Sequence, residues 1–327
     1  MNEFLTLMDL KNRMEPGDAA IAGIAEVIAS ENDIIQDIPW TRGNLLTGDV
    51  NFTRTTKPQG QKRKINQGIR SSVSKTTPNT DTCVEFASRS EVDKRKLKNF
   101  TNGSAEANRY LLSESKAHIA TLGEMLIEDI MYGDDPEGIK GFVSRYNALS
   151  GQTGEQVFDC GGTGNDLTSI WVVRWDPDEV TGIYPKYSKA GLDMESSEEL
   201  VKDKDGLEFR AIVSDFYWLA GLKVRDWRYV TRVANIKMSD LMTDAAMLNK
   251  IMDLMIYAKN KVYHPYNGRT VFYVNPLLYS AIEVAAKNKT NMALGYRDIE
   301  GRMSLVTYSG IPIRKNDSQV KPEKKVA

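Results

Sequence analysis

His118 and His264 are the only histidines in this 327-residue chain, and they are the side chains whose ordinary pKa best suits proton transfer near neutral pH. His118 falls inside a helical pattern and His264 in a His-Pro-Tyr-Asn-Gly turn. Neither has a second histidine at metal-ligand spacing. A serine or cysteine nucleophile would need a base beside it, yet the chain has no Gly-x-Ser-x-Gly elbow or comparable local signature. Cys160-Gly-Gly-Thr-Gly-Asn165 has the glycines of a phosphate loop without its closing Lys-Ser/Thr pair. It runs into a strand, so it reads as a structural turn. Asp134, Asp135 and Glu137 gather where a long helix ends. Carboxylates can hold a divalent cation, but this spacing is not that of an EF-hand, and a solvated turn is the better reading. No catalytic, cofactor-binding or metal-ligating residue is assigned, and the chain is not read as an enzyme.

The chemistry that remains is electrostatic. Between positions 51 and 80 stand seven Lys or Arg residues and no acid, whereas 193–208 carries seven acids against two lysines and is expected to be a surface loop. These two stretches either meet between neighbouring copies or are two separately solvated surfaces. Contact with nucleic-acid phosphates is a further reading for the basic stretch. No interleaved aromatic residues support base stacking there.

The elements that position these charges follow from periodicity. Ile21, Ile24, Ala25, Val27 and Ile28, behind Pro16, predict an amphipathic helix within 19–36 on an otherwise extended arm, with too few apolar residues to fold alone. Residues 37–84 are rich in Thr, Gly, Asn and Lys, and predict a long two-stranded excursion with little core. Its outgoing strand is 51–56, its tip is Pro58-Gln-Gly60 and its return strand is 64–69. Ser104 is placed to cap a helix that runs to Gly133, with Leu111, Ala117, Ile119, Leu122, Leu126 and Ile130 along one face. About thirty residues at ~1.5 Å each span about 45 Å, which calls for a broad partner surface. The alternation of Phe209, Ala211, Val213, Val224, Tyr229 and Val233 supplies it, as long antiparallel strands within 208–235.

Strand and helix then alternate. Thr168–Trp175 reads as a strand, Ser239 as the cap of a helix carrying Met242, Ala245, Leu248, Met252, Met255 and Ala258, and Thr270–Val274 as a strand feeding an Asn275-Pro276 helix start. Met303–Ile313 predicts a closing hairpin turning near Ser309-Gly310, and the tail Lys-Pro-Glu-Lys-Lys-Val-Ala is expected to fray.

With 41% hydrophobic and 27% charged residues the chain should fold, and its length favours two packed lobes. A net charge of -1 gives no global pull toward polyanions, so any such binding is local. No apolar run approaches a membrane span and the N-terminal stretch mixes charges into its apolar positions, so synthesis in the cytoplasm is expected. Cys83 and Cys160 lack paired spacing, which fits a reducing compartment.

Several ordered stretches together resemble one family. They are Ile38-Pro-Trp-Thr-Arg with Leu45–Val50, Tyr132-Gly-Asp-Asp-Pro-Glu-Gly-Ile-Lys-Gly-Phe142 with Arg145-Tyr146-Asn147, Asp159–Trp171, and Gly221–Asn235. They are similar to matching stretches in major capsid proteins of short-tailed phages related to epsilon15, over about residues 25 to 315. The resemblance implies an α+β Hong Kong 97-type capsid fold: an N-terminal arm (1–36), an extended loop (37–84), a peripheral lobe (85–140 and 208–235) with a spine helix at 104–132, and an axial lobe (141–207 and 236–327). It implies a virion shell subunit that assembles through pentamers and hexamers around double-stranded DNA. The implied partners are a separate scaffolding protein, a portal protein and, in some shells, a decoration protein. Because the chain starts almost at the arm, a fused scaffold is not expected; cofactors, membrane contact and covalent crosslinking are not expected either.

An arm and hairpin that cannot bury their own apolar residues make sense if neighbouring copies supply the missing surface. The inter-subunit contact candidates are therefore Trp40, Phe52, Lys57, Lys62, Arg63 and Lys64, with a local core role as the other reading of Trp40. Two alternatives remain: an encapsulin-like compartment shell, which fold alone does not separate from a capsid, and a hydrolase built around Asp134 and His264.

Overall fold

In the computed structural model, which describes residues 33–56, 58–100, 104–241, 245–266, 268–287, 294–299 and 302–327, the chain enters through a short helix α1 (Asp33–Asp37). It continues through β1 (Trp40–Arg42), β2 (Gly48–Thr56) and β3 (Lys75–Asp93) to helices α2 (Lys94–Phe100) and α3 (Ser104–Tyr132). Two single turns, α4 (Phe142–Arg145) and α5 (Gly151–Gly154), precede β4 (Val157–Asp159), β5 (Leu167–Trp175), β6 (Val180–Tyr184), β7 (Leu192–Lys202), β8 (Glu208–Val224) and β9 (Val230–Lys237). Then come α6 (Ala245–Lys261), β10 (Arg269–Val274), α7 (Pro276–Lys287), β11 (Leu294–Ile299), β12 (Arg302–Tyr308) and β13 (Ile311–Lys315).

Two sheets result. The first has the order β1-β6-β8-β3-β2, with β7 also paired to β8; the second has the order β11-β12-β13-β10-β5-β9-β4. Every residue of β5 is buried, as expected of a strand covered on both faces. Its alternation sorts Trp171, Val173 and Trp175 into a core shared with α3 and the first sheet, while Ile170 and Val172 pack under α6 and α7. The spine of the first sheet is the antiparallel pairing of β3 and β8, from Cys83 opposite Gly221 to Asp93 opposite Ala211. Helix α3 crosses this pair and buries Ile119, Leu122, Leu126 and Ile130. Close approach on the first sheet is set by Gly182, where a Cβ would stand 2.7 Å from the Trp40 ring.

The expected elements are largely present. Asn275 Oδ1 accepts the backbone N–H of Leu277 at 2.8 Å, the expected cap with Pro276 at the first helical position. Ser309 and Gly310, at φ 51° and 82°, turn β12 into β13 as a left-handed pair suited to a tight hairpin. Of the arm helix expected within 19–36, only Asp33–Asp37 lies inside the described residues; Ile21, Ile24, Ala25, Val27 and Ile28 lie outside them.

Six expectations are corrected. The return strand is not 64–69: pairing resumes at Lys75, opposite Thr56, and continues to Asp93, because 58–74 carries Pro58, Gly60 and Gly68 and makes no ladder. The stretch 208–235 is not one pair of strands. Asp226 accepts the N–H of Arg228 and starts a single turn at Trp227–Tyr229, which delivers β9 to the second sheet between β5 and β4. The acidic stretch is not a loop, since β7 pairs with β8 from Leu192 opposite Trp218 to Lys202 opposite Glu208. That ladder satisfies the backbone whatever the side chains prefer. β6 and β7, placed with the axial lobe by position, are therefore part of the first sheet. The tail is not frayed, because Glu323 and Val326 are buried; Ala117, by contrast, is exposed on α3.

Candidate assembly interfaces

The extended hairpin has a root and a tip of opposite character. At the root, the Asp81 carboxylate, nearly inaccessible, receives Asn51 Nδ2 at 2.9 Å, Arg145 Nη2 at 2.5 Å and the backbone N–H of Val224 at 3.3 Å. Lys223 Nζ lies 2.9 Å from Asp49, whose other oxygen accepts the N–H of Asn44. Thr53 Oγ1 donates to the carbonyl of Arg225 at 2.5 Å, and Thr82 Oγ1 to that of Gly138. Beside this cluster, burial pushes the Cys83 thiol up to about 12, with Asp49 and Asp81 adding to the shift. Strands β2 and β3, β8 and the α4 turn are thereby tied at one point.

Among the described residues the tip's side chains bond locally: Gln61 Nε2 to Gly68 O, Arg63 Nε to Gln67 O and Ser72 Oγ to Gln59 O. It holds Ile65 at 95% exposure and Val73 at 84%, among Lys62, Arg63, Lys64 and Arg70. A single chain gains nothing by leaving such aliphatic residues in water, and a row of them signals a partner.

Two further clusters tie α1 and the C-terminal tail to the body. The Asp37 carboxylate of α1 receives Arg314 at 2.7 Å and Tyr273 Oη at 3.0 Å, and Tyr273 Oη in turn accepts Trp175 Nε1 at 2.7 Å. In the tail, Glu323 pairs with Arg232 at 2.6 Å, accepts Ser169 Oγ and receives Tyr132 Oη at 3.4 Å. Arg232 is fully enclosed: it also donates to Tyr146 O at 2.7 Å and Ser169 Oγ at 2.9 Å and lies 4.9 Å from the Trp171 ring centre. Nothing in local spacing announces these clusters, since Asp81 and Arg145 are 64 positions apart and Arg232 and Glu323 are 91.

The contact candidates separate accordingly. Trp40 is 9% exposed with its ring 6.1 Å from that of Trp218, a burial that leaves little of it for a neighbour. Phe52 is 59% exposed and borders a cleft of about 600 Å³ with Thr53, Thr76, Arg225 and Trp227. Lys62, Arg63 and Lys64 stand together on the tip, and Lys57 lies outside the described residues.

The residues weighed for catalysis are not brought together. His118 Nδ1 lies 2.6 Å from Ser88 Oγ, and its ring stacks on Phe216, fixing α3 to the sheet. His264 packs edge-on against Tyr263. Asp135 Oδ1 accepts the N–H of Glu137 in an exposed turn, and among the described residues no three His, Cys, Asp or Glu side chains converge to hold a metal. In the glycine loop, the N–H of Gly161 goes to Asp159 Oδ1 and that of Gly162 to Asn235 O, so these two amides are committed within the fold. Among the described residues no helix is long and apolar enough to cross a membrane.

Comparison with known proteins agrees with this picture. A family model described as Major capsid protein GP7 matches residues 16–327. The near-atomic structure of bacteriophage epsilon15 aligns with a TM-score of 0.64 at 26% identity, over 99% of this chain and 98% of that one. The capsid of bacteriophage JBD30 aligns with a TM-score of 0.53 at 9% identity, over 88% and 91% of the two chains, a likeness of fold. No curated protein sequence matches. The encapsulin-like and hydrolase alternatives are correspondingly weaker. The chain belongs to the GP7 family of major capsid proteins, with the Hong Kong 97-type α+β fold, and is a structural subunit of a bacteriophage virion capsid rather than an enzyme.

Proposed function

We propose that copies of this chain assemble through pentamers and hexamers into an icosahedral shell that encloses double-stranded DNA. Supporting this above all is the tip at 58–74, whose exposed aliphatic and basic residues have no counterpart among the described residues of their own subunit. Phe52, Lys57, Lys62, Arg63 and Lys64 then act as contacts to a neighbouring copy, with Trp40 holding the loop's entry to the body. In this reading residues 1–36 form the arm, 37–84 the extended loop, 85–140 with β8 the peripheral lobe around the spine helix 104–132, and the second sheet with α6 and α7 the axial lobe. A separate scaffolding protein shapes the shell during assembly, a portal protein occupies one vertex, and a decoration protein is an optional outer partner.

Negative-stain electron microscopy of the purified chain, with mass photometry alongside, tests this. Five- and sixfold rings, tubes or closed shells are expected. A uniform monomer under every assembly condition would refute it.

A further inference from the structure

Among the described residues the buried apolar side chains of α3 begin only at Ile119. Ahead of them Tyr110, Glu114 and His118, four residues apart and so on one stripe, face β3 across a cleft of about 650 Å³, a volume in the range of small-molecule sites. Eight residues of helix at ~1.5 Å each make this stripe about 12 Å long. His118 closes one end through Ser88 Oγ, at 2.6 Å. Lys96 closes the other, its ammonium 5.3 Å from the Tyr110 ring centre and 3.2 Å from the Tyr110 hydroxyl. Between these ends the wall carries Glu91 and Asp93 of β3, Glu114 of α3 and Asp203 of the turn between β7 and β8. None of the four makes an ion pair among the described residues, and Arg89 beside them is already held by Asp215 through bonds of 2.6 and 2.8 Å. Ser90 stands in the same wall. It is 8% exposed and shares the α3 side of β3 with Ser88 and Val92, yet its hydroxyl makes no hydrogen bond among the described residues. A hydroxyl so buried normally has a partner, and the carboxylates around it favour an ammonium donor.

We infer that this cleft binds a linear polyamine, with its ammonium groups spaced along the four carboxylates and one of them donating to Ser90 Oγ. A metal ion fits less well, because among the described residues no three carboxylates converge as a point charge requires. A methylene chain with a cation at each end spreads its charge as the cleft spreads its acids. Tyr110 and Phe209 supply apolar surface for the stem, and the Tyr110 ring attracts a cation on its face. Uptake links Glu114 of α3 to Glu91 of β3 and stiffens the front half of the helix. The site lies within one subunit and is independent of how subunits join.

Isothermal titration calorimetry of the full chain with spermidine at fixed ionic strength tests it. One site per subunit is expected, with Mg²⁺ at the same concentration unable to compete. Glu114→Gln should weaken binding about tenfold or more, as loss of a charge-assisted bond does, and Ser90→Ala should weaken it by a smaller factor. Hydrogen exchange should slow in 104–118 when spermidine is added. No binding, equal competition by Mg²⁺, or binding unchanged in Glu114→Gln would overturn the inference, and so would slowing that leaves 104–118 untouched. Glu91 is exposed and Glu114 half-buried, so folding should survive at either position, which circular dichroism and melting without spermidine check. If Glu114→Gln spoils folding, Glu91→Gln decides in its place by the same loss of binding. Spermidine taken up by dispersed subunits but refused by assembled shells would assign the cleft to a lysine of a neighbouring copy and overturn the free-amine reading.

Discussion

Arg232 and Lys62 carry the same charge into opposite settings, one enclosed within the subunit and one on its surface, and the contrast shows what holds a subunit together. Around Arg232 the chain brings β5, the residue that ends the α4 turn and its own tail to give each guanidinium nitrogen an acceptor, so the side chain is a stitch between distant segments. Around Lys62 the described residues supply a local coil and exposed aliphatic neighbours. The root of the hairpin lies between these extremes, buried and paired like the first region but at the base of the second. Charge inside this subunit sets geometry; charge at the tip is left to solvent among the described residues.

The largest effect is expected where the enclosure is most complete. Glu323→Ala leaves Arg232 buried without its counter-ion, and breaking such a pair costs roughly 3–5 kcal/mol. Urea unfolding should show the midpoint falling with an unchanged slope. Replacing both partners, Arg232→Met with Glu323→Leu, should recover much of that loss, because an apolar pair needs no compensation. If Glu323→Ala left the midpoint unmoved, the tail would not be a stitch at all.

A smaller effect is expected at the root. Asp81→Asn keeps the shape but weakens three accepted bonds, one of them from Arg145, for a cost of about 1–3 kcal/mol. Hydrogen exchange should quicken first in β2, while β5 and β10 stay protected. Uniform quickening would mean that the root is not a separate clamp.

The Cys83 thiol reports on the same cluster. The folded chain holds this proton up to about 12, whereas an ordinary thiol releases it near 9.0. The stabilisation from holding it is complete below about 9 and is lost as pH rises from there through about 12. Cys83→Ala should therefore flatten the alkaline fall in stability. At pH 8, mass-spectrometric mapping should find Cys83 slow to alkylate in the parent and faster in Asp81→Asn, where one of the opposing charges is gone.

Periodicity made much of this fold legible. β5, β10 and the alternation of β8 stood out because apolar residues recur at strand spacing, and the 29-residue α3 stood out by its helical stripe and the glycine that stops it. The tip's charge was readable from composition alone. What stayed hidden depends on partners far away in sequence. Strand β7, with Glu, Ser and Asp throughout, has no strand signature and exists because β8 offers it eleven paired positions. The tail looks frayed until Glu323 finds Arg232, and the root looks like a polar loop until Asp81 gathers Asn51, Arg145 and Val224.

The smallest effect on the subunit, and the sharpest cut between the two regions, is expected at the tip. Ile65 is almost wholly exposed among the described residues, so Ile65→Ser should leave the urea midpoint within about 0.5 kcal/mol of the parent, as exposed substitutions do. Assembly is another matter, because the same side chain must leave water when a neighbour covers it, and burying an isoleucine contributes roughly 1.5–3 kcal/mol per contact. Each ring repeats that contact at every subunit, so the loss multiplies with the number of copies. Sedimentation of Ile65→Ser should show native-like monomers that fail to close rings at concentrations where the parent does. Rings formed as readily as the parent's would place Ile65 outside the interface and leave the basic residues of the tip to act alone.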